Sequence, residues 1–274
     1  MSKALVTGGA GFIGSNLVDK LIDLYDEIVV IDNLSSETNE KFYFAKHTHI
    51  KYYELDICDY ENTRRLYNDV DVVFHLAAES RIQPTLNNPI LAANTNTVGT
   101  CTVLQCSKEA GVKRVIYSST SSGYGLKNTI PLDESMTDDC LNPYSVTKVA
   151  GEKLCKMYYD LYGLETVVFR YFNVYGERHP IKGQYAPVIG IFIRQKNDGE
   201  KLTIVGNGEK TRDFTHVYDI VEGLQKIALS NLTHNDAWEL GTGVNYSINK
   251  VYEFFNKRFN TEFENIPDQP GNYR

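Results

Sequence analysis

Hydrophobic residues along this chain gather in short runs separated by longer stretches with one apolar face. The runs at 4–6, 27–31, 50–55, 71–78, 114–117 and 165–170 have strand length. They are apolar at most positions, as strands covered on both faces must be. After the first run, Phe12, Ile13, Leu17, Leu21 and Ile22 fall on one face of a predicted helix. A short helix is predicted at 63–68 and a long one at 89–109, with Leu91, Val98, Leu104 and Ala110 among its apolar positions and Gly111 as its stop. Asn142-Pro143 supplies an N-cap and first-turn proline for a helix that runs to Gly163. Alternation of this kind predicts right-handed crossovers and an α/β fold built on a parallel, doubly wound sheet.

Beyond residue 172 the pattern loosens. The sequence predicts a helix at 187–197, a short strand at 202–205, a turn at 206–208, a helix ending near 230, a strand at 238–240 and a last helix at 248–259. The expected division is a dinucleotide-binding domain over 1–172 and a smaller, short substrate lobe over 173–274, with 212–230 packing back on the first.

Composition sharpens this picture in three ways. A net charge of −7 argues against nucleic acid or an anionic membrane as main partner. No apolar run approaches the roughly 18 residues that cross a bilayer. The five cysteines form no CxxC pair and no metal-ligand spacing with histidine, so they read as free thiols of a reducing cytoplasm. His47 and His49 read as part of a solvated loop, and His75 as a satisfied core histidine.

Candidate chemistry starts at the end of the first strand, where Gly8, Gly11 and Gly14 precede a helix. Glycine there allows a tight turn, a close approach of backbone to pyrophosphate and tight helix–strand packing, while the helix N-terminus faces the phosphates. Asp32 ends the second strand about 20 residues on, placed to accept hydrogen bonds from an adenosine ribose. Its charge repels a 2′-phosphate, which favours NAD over NADP. Asn33 and Ser35 begin the loop beside it. The fifth strand ends in the hydroxyl run Ser118–Ser122, and ligands of such sheets bind off these strand ends. Tyr144 and Lys148, at i and i+4, share a helix face. A lysine ammonium beside a phenol is expected to lower the tyrosine pKa from about 10 and make it a usable base.

These segments in order, TGGAGFIG at 7–14, Asp32, HLAA at 75–78, SST at 118–120, Tyr144-x-x-x-Lys148, RYFNVYG at 170–176 and RDFTHVYD at 212–219, resemble the extended short-chain dehydrogenase/reductases. The chain is most similar to their NAD-dependent epimerase/dehydratase branch, and within it to UDP-sugar 4-epimerases. The resemblance implies a Rossmann-type fold, NAD as cofactor, a UDP-hexose as substrate, and a homodimer paired through the long helices at 89–109 and 143–162. It implies catalytic roles for Thr120, Tyr144 and Lys148. It implies that the cofactor contacts Gly8, Gly11, Phe12, Ile13, Gly14, Asp32, Asn33, Ser35, Asp56, Ile57, Leu76, Ala77, Ala78, Asn96, Tyr144, Lys148 and Tyr171. Ser80, Thr120, Ser121, Tyr144, Asn173, Gln184, Tyr185 and Arg212 are implied as substrate contacts.

Related 4,6-dehydratases carry an acidic pair directly after the threonine, and related decarboxylases a glutamate in the same segment. Here Ser121 and Ser122 stand there, so epimerisation is favoured over those chemistries. The intact Thr120, Tyr144 and Lys148 argue against a non-catalytic relative. Relatives usually continue several tens of residues past the position of Arg274, with an arginine before Pro-Gly where Gln269 stands here, so the substrate lobe is expected to be short.

Overall fold

A computed structural model describes residues 2–37, 39–182, 186–232 and 237–268. Six strands, β1 (Lys3–Thr7), β2 (Glu27–Asp32), β3 (Ile50–Glu54), β4 (Val72–His75), β5 (Arg114–Thr120) and β6 (Glu165–Tyr171), join Ala237–Leu240 in one seven-stranded sheet. The order is β3-β2-β1-β4-β5-β6 and then Ala237–Leu240, and every pairing is parallel. This is the doubly wound Rossmann arrangement, whose direction of winding reverses between β1 and β4.

The period-2 geometry of a strand explains why the apolar runs are nearly continuous. Ala4, Val6, Ile28, Val30, Val72, Phe74, Ile116, Val167 and Phe169 pack in a core on one face of the sheet. Their neighbours Leu5, Val29, Ile31, Val73, Val115, Tyr117 and Val168 pack in a second core on the other. The first core includes Leu17, Val18 and Leu21 of helix α1 (Phe12–Leu21) and Val217, Ile220 and Leu224 of the Val217–Leu229 helix, which lies against α1. The second includes Val103, Leu104, Cys155 and Tyr158 from two long helices. A third, smaller core, around Phe192, Leu202, Ile204 and Val251, joins the Val188–Asp198 helix, the Leu202–Val205 strand and the Ile248–Phe259 helix.

Several elements depart from their expected form. The 89–109 helix is α-helical over Pro89–Ala93, π-helical over Asn94–Gly99 and α-helical again over Thr100–Glu109. Its Leu104 is buried, but Leu91 and Val98 are exposed beside Ile90, so the expected apolar face is divided between core and surface. The 63–68 helix is a short α-turn at Tyr60–Thr63 continued as 3₁₀ at Arg64–Tyr67. The 71–78 strand stops at His75, because the backbone turns to form the cleft wall. An unforeseen helix, Ile82–Asn87, follows that wall. The Pro143–Tyr162 helix has its capping box between Asn142 and Ser145 and ends at Gly163, with φ of 69°.

Candidate active site

The C-terminal ends of the strands open into one cleft of about 650 Å³. At its floor β1 turns at Gly8, whose φ is 70° and where an added Cβ would meet the Ala77 backbone nitrogen at 2.8 Å. Gly14 sits in the first turn of α1, where a Cβ would lie 2.1 Å from the Gly8 carbonyl oxygen. Neither position accepts a side chain, and the result is a backbone cradle with the α1 N-terminus aimed along it. Asp32 Oδ2 accepts from Ala10 N (3.0 Å) and Oδ1 from Leu34 N (2.9 Å). Burial raises its pKa and these backbone donors oppose the rise. The cradle and the carboxylate fit a dinucleotide: phosphates on the helix end, ribose hydroxyls on Asp32.

A relay of hydroxyls fixes the opposite wall. Thr7 Oγ1 accepts from Leu76 N and Ala77 N, both at 3.2 Å, and donates to His75 Nδ1 (2.8 Å). Thr100 donates its own proton to the Asn96 carbonyl (2.7 Å), so His75 Nε2 donates to Thr100 Oγ1 (2.9 Å). The histidine is thus a neutral Nε2–H tautomer that ties the cleft wall to the π-helical segment. Burial first, and then the charge of Lys148, lowers its pKa to about 3. His47 and His49 are exposed, and the described residues hold no metal-ligand cluster.

Tyr144 and Lys148 stand one turn apart on the Pro143–Tyr162 helix and both line the cleft, with Thr120 at the end of β5. The Thr120 hydroxyl and the Tyr144 phenol face the same part of the cleft, near enough for the hydroxyl to act on the phenol's pKa. Contrary to the expectation from spacing, the Tyr144 pKa is raised. Burial dominates, and what offsets it is the Thr120 hydroxyl and the charge of Arg81. Lys148 Nζ lies 4.2 Å over the Tyr117 ring, and burial lowers its pKa to about 7. That stacking is possible because the helix approaches β5 at Gly151, where a Cβ would fall 2.2 Å from the Tyr117 hydroxyl.

The cleft is also lined by Gly11, Phe12, Ile13, Asn33, Ser35, Ile57, Leu76, Ala78, Ser80, Ser121, Tyr171, Asn173 and Arg212. Tyr171 shares a hydrogen bond with Ser118 (2.8 Å), and Asn173 donates to the Asp213 carbonyl (2.9 Å). Two expected contacts stand elsewhere. Asn96 is fully buried and its amide is occupied: Oδ1 accepts from Glu79 N (2.8 Å), while Nδ2 donates to Glu79 O and Thr147 Oγ1, both at 3.0 Å. It positions the wall and does not face the cleft. Asp56 lies behind Asn33, accepting from its Nδ2 (3.3 Å) and from Cys58 N (2.8 Å). Gln184 and Tyr185, with Gln269 and Arg274, lie outside the described residues. Sequence reasoning missed Arg81 and His179, both on the cleft wall. Arg81 stands three positions past the HLAA segment, next to Ser80, and that nearness is the one signal available for it.

The comparisons with known proteins agree with this geometry. The model of the NAD-dependent epimerase/dehydratase family matches residues 4–241. The chain belongs to this family. A putative UDP-glucose 4-epimerase of Methanocaldococcus jannaschii is 34% identical over 268 residues, covering 97% of this chain and 85% of that protein. A UDP-N-acetyl-alpha-D-glucosaminuronate decarboxylase of Bacillus cytotoxicus is 39% identical over 228 residues, covering 80% and 69%. Among solved structures, UDP-glucose 4-epimerase of Thermotoga maritima, determined with UDP-glucose, superimposes with a TM-score of 0.91 at 33% identity, covering 98% of this chain and 87% of that one. As a member of the epimerase/dehydratase family the chain is an NAD-dependent, nucleotide-sugar type of protein, and relatives within the family differ in the reaction they carry out. No helix among the described residues is long and apolar enough to cross a membrane.

Proposed function

We propose that this protein is an NAD-dependent 4-epimerase of a UDP-hexose. The observation that carries the reading is the trio that lines the cleft together: Thr120 and Tyr144, with Lys148 one turn along and serines at 121 and 122 in place of an acidic pair. Tyr144, as phenolate, takes the proton of the C4 hydroxyl while Thr120 holds the same oxygen. Bound NAD supplies reversible hydride chemistry at C4. The phenolate is supported by the Thr120 hydroxyl and the charge of Arg81, the two influences that already oppose burial. Gly8, Gly14 and the α1 N-terminus hold the cofactor phosphates, Asp32 its adenosine ribose and Lys148 its nicotinamide ribose. Arg212 and Asn173 anchor the substrate diphosphate, so the 4-keto sugar turns about a fixed link and presents its other face. Tyr144 then returns the proton to the C4 oxygen. The protein supplies orientation and proton transfer, the cofactor the redox step.

The test is an assay of UDP-glucose, UDP-galactose and their N-acetyl forms with added NAD. Interconversion at C4 is expected, falling about 10²- to 10⁴-fold in Tyr144→Phe, the range for general acid–base contributions. A stable 4-keto product or a pentose in place of the epimer would refute it. The pentose outcome would favour a second reading, decarboxylation of a nucleotide uronate, which the identity to a decarboxylase supports. We also infer a cytoplasmic homodimer. Ile90, Leu91 and Val98 on one long helix and Val146, Leu161 and Tyr162 on its neighbour are exposed apolar side chains that a second copy would cover.

A further inference from the structure

The cleft wall after β4 contains a residue held in an unfavourable backbone conformation. Arg81 has φ of 91° and ψ of 137°, close to a region that glycine alone occupies without strain. Residues in such regions cost of order 1–3 kcal/mol and persist where their surroundings over-determine them. Here the surroundings do so. Asn96 grips Glu79 at both its nitrogen and its carbonyl, two residues upstream. The Ile82–Asn87 helix begins immediately downstream, with Arg81 as its N-cap.

The strained backbone places a cation inside the cleft. Arg81 lines the wall, and its Nε is buried with no hydrogen-bond partner among the described residues. Tyr144 and His179 line the same cleft and both feel the charge of Arg81. His179, packed 5.0 Å from the Phe12 ring, also has both ring nitrogens buried and unpartnered among the described residues. Burial lowers the pKa of Arg81 and takes that of His179 to about 3, so the histidine is a neutral neighbour and not a competing cation. A guanidinium in this position calls for an anion. The glycine turn and the α1 N-terminus serve the cofactor phosphates, and Arg212 stands for the substrate diphosphate. What remains beside Tyr144 is the sugar itself. On a hexose whose C4 oxygen meets Tyr144, the carbon that can carry an acid nearby is C6, one bond beyond the ring carbon next to C4.

We propose that Arg81 is a specificity-determining residue that selects a nucleotide sugar bearing a carboxylate at C6, pairing its planar guanidinium with that carboxylate. The proposal rests on the reading of this cleft as a nucleotide-sugar site. The fork geometry of arginine suits a carboxylate bidentately, and the strain at residue 81 fixes where the fork stands before the sugar arrives.

Binding separates this proposal from the reaction itself. UDP-glucuronate and UDP-glucose differ only at C6, and their affinities for the NAD-loaded protein are measured by calorimetry for the wild type, Arg81→Lys, Arg81→Gln and Arg81→Gly. The wild type is expected to prefer UDP-glucuronate by about 10- to 100-fold, the range for hydrogen bonds to charged groups. Arg81→Gln is expected to bring the ratio near one, and Arg81→Lys to retain part of it. Arg81→Gly relieves the strained φ, so the loss of preference remains measurable if the glutamine variant folds poorly. Equal affinity of the wild type for both sugars overturns the proposal and leaves the epimerase reading standing. A preference that survives Arg81→Gln overturns it, as does loss of bound NAD in that variant with the preference intact. Failure of both sugars to bind overturns the nucleotide-sugar reading and the proposal together. Preferential, Arg81-dependent binding without C4 interconversion supports the proposal and removes the epimerase reading alone.

Discussion

Glu152 provides the sharpest test of how the helix that carries Tyr144 and Lys148 is held. It is 7% exposed and stands two turns beyond Tyr144 on the same helix. Its Oε1 accepts from Arg170 Nε (3.0 Å) and from the Ser119 hydroxyl, and Oε2 from Arg170 Nη2 (2.6 Å). Arg170, 5% exposed, also reaches Asp138 (3.0 Å) and stacks 4.7 Å over the Tyr124 ring. The cluster therefore joins β5 next to Thr120, the helix of Tyr144, β6 and the loop at 138. Removing one member of a buried pair costs about 3–5 kcal/mol because a charge is left without its partner. Glu152→Gln should cost somewhat less, about 2–3 kcal/mol, since Asp138 remains and the amide oxygen still accepts one N–H. At about 2–4 °C per kcal/mol for a chain of this size, the melting temperature should fall by about 5–10 °C. Thermal scans of the wild type, Glu152→Gln and Lys156→Gln make the comparison. Lys156 pairs with Asp160 at 2.9 Å, with both side chains about half exposed, and its loss should cost no more than about 0.5 kcal/mol. A loss at Glu152 below about 1 kcal/mol, or equal to that at Lys156, would refute the claim that this pair anchors the site. The double variant Glu152→Leu/Arg170→Met should recover most of the loss, because apolar replacement of a whole buried pair is often neutral.

Three further outcomes are expected. Gly14→Ala places a methyl group 2.1 Å from the Gly8 carbonyl oxygen, so it should destabilise the fold by about 1–3 kcal/mol and lower the NAD content of the purified protein; full NAD occupancy would contradict the cradle. His75 and His179, both shifted down to about 3, stay neutral in the fold while the unfolded chain takes up protons below about pH 6.5. The stability they share is therefore complete above that pH and is lost as pH falls toward 3, by up to about 1.4 kcal/mol per pH unit for each histidine. Urea unfolding between about pH 7 and pH 5 should show this slope, and His75→Gln should reduce it. Val98→Glu should convert a dimer to monomer in light scattering after gel filtration, and a monomeric wild type would remove the dimer.

The parts of this protein legible in its sequence are those where one residue type answers one local demand. The two-faced cores require apolar residues at successive strand positions, and the runs at 27–31 and 165–170 show it directly. The Gly8 turn and the Gly14 contact require the absence of a side chain, which is equally visible. Asn142-Pro143 and Gly163 mark the bounds of a helix because capping is a local matter. What was not legible depends on contacts across the chain. Asn96 reads as a polar residue near a helix start, yet its amide is claimed by Glu79 and Thr147 through a π-helical turn that no periodicity announces. Tyr144 and Lys148 suggest by spacing that the lysine tunes the tyrosine. The structure seats Lys148 over Tyr117, through the close approach at Gly151, and burial raises the Tyr144 pKa against the opposing influence of Thr120 and Arg81. Arg81 itself has no periodic partner, and its backbone conformation would have suggested glycine. A sequence pattern reports what each residue does for its own element. The groups that line this cleft are held by other elements, and the positive φ at residue 81 is the trace that such holding leaves in the backbone.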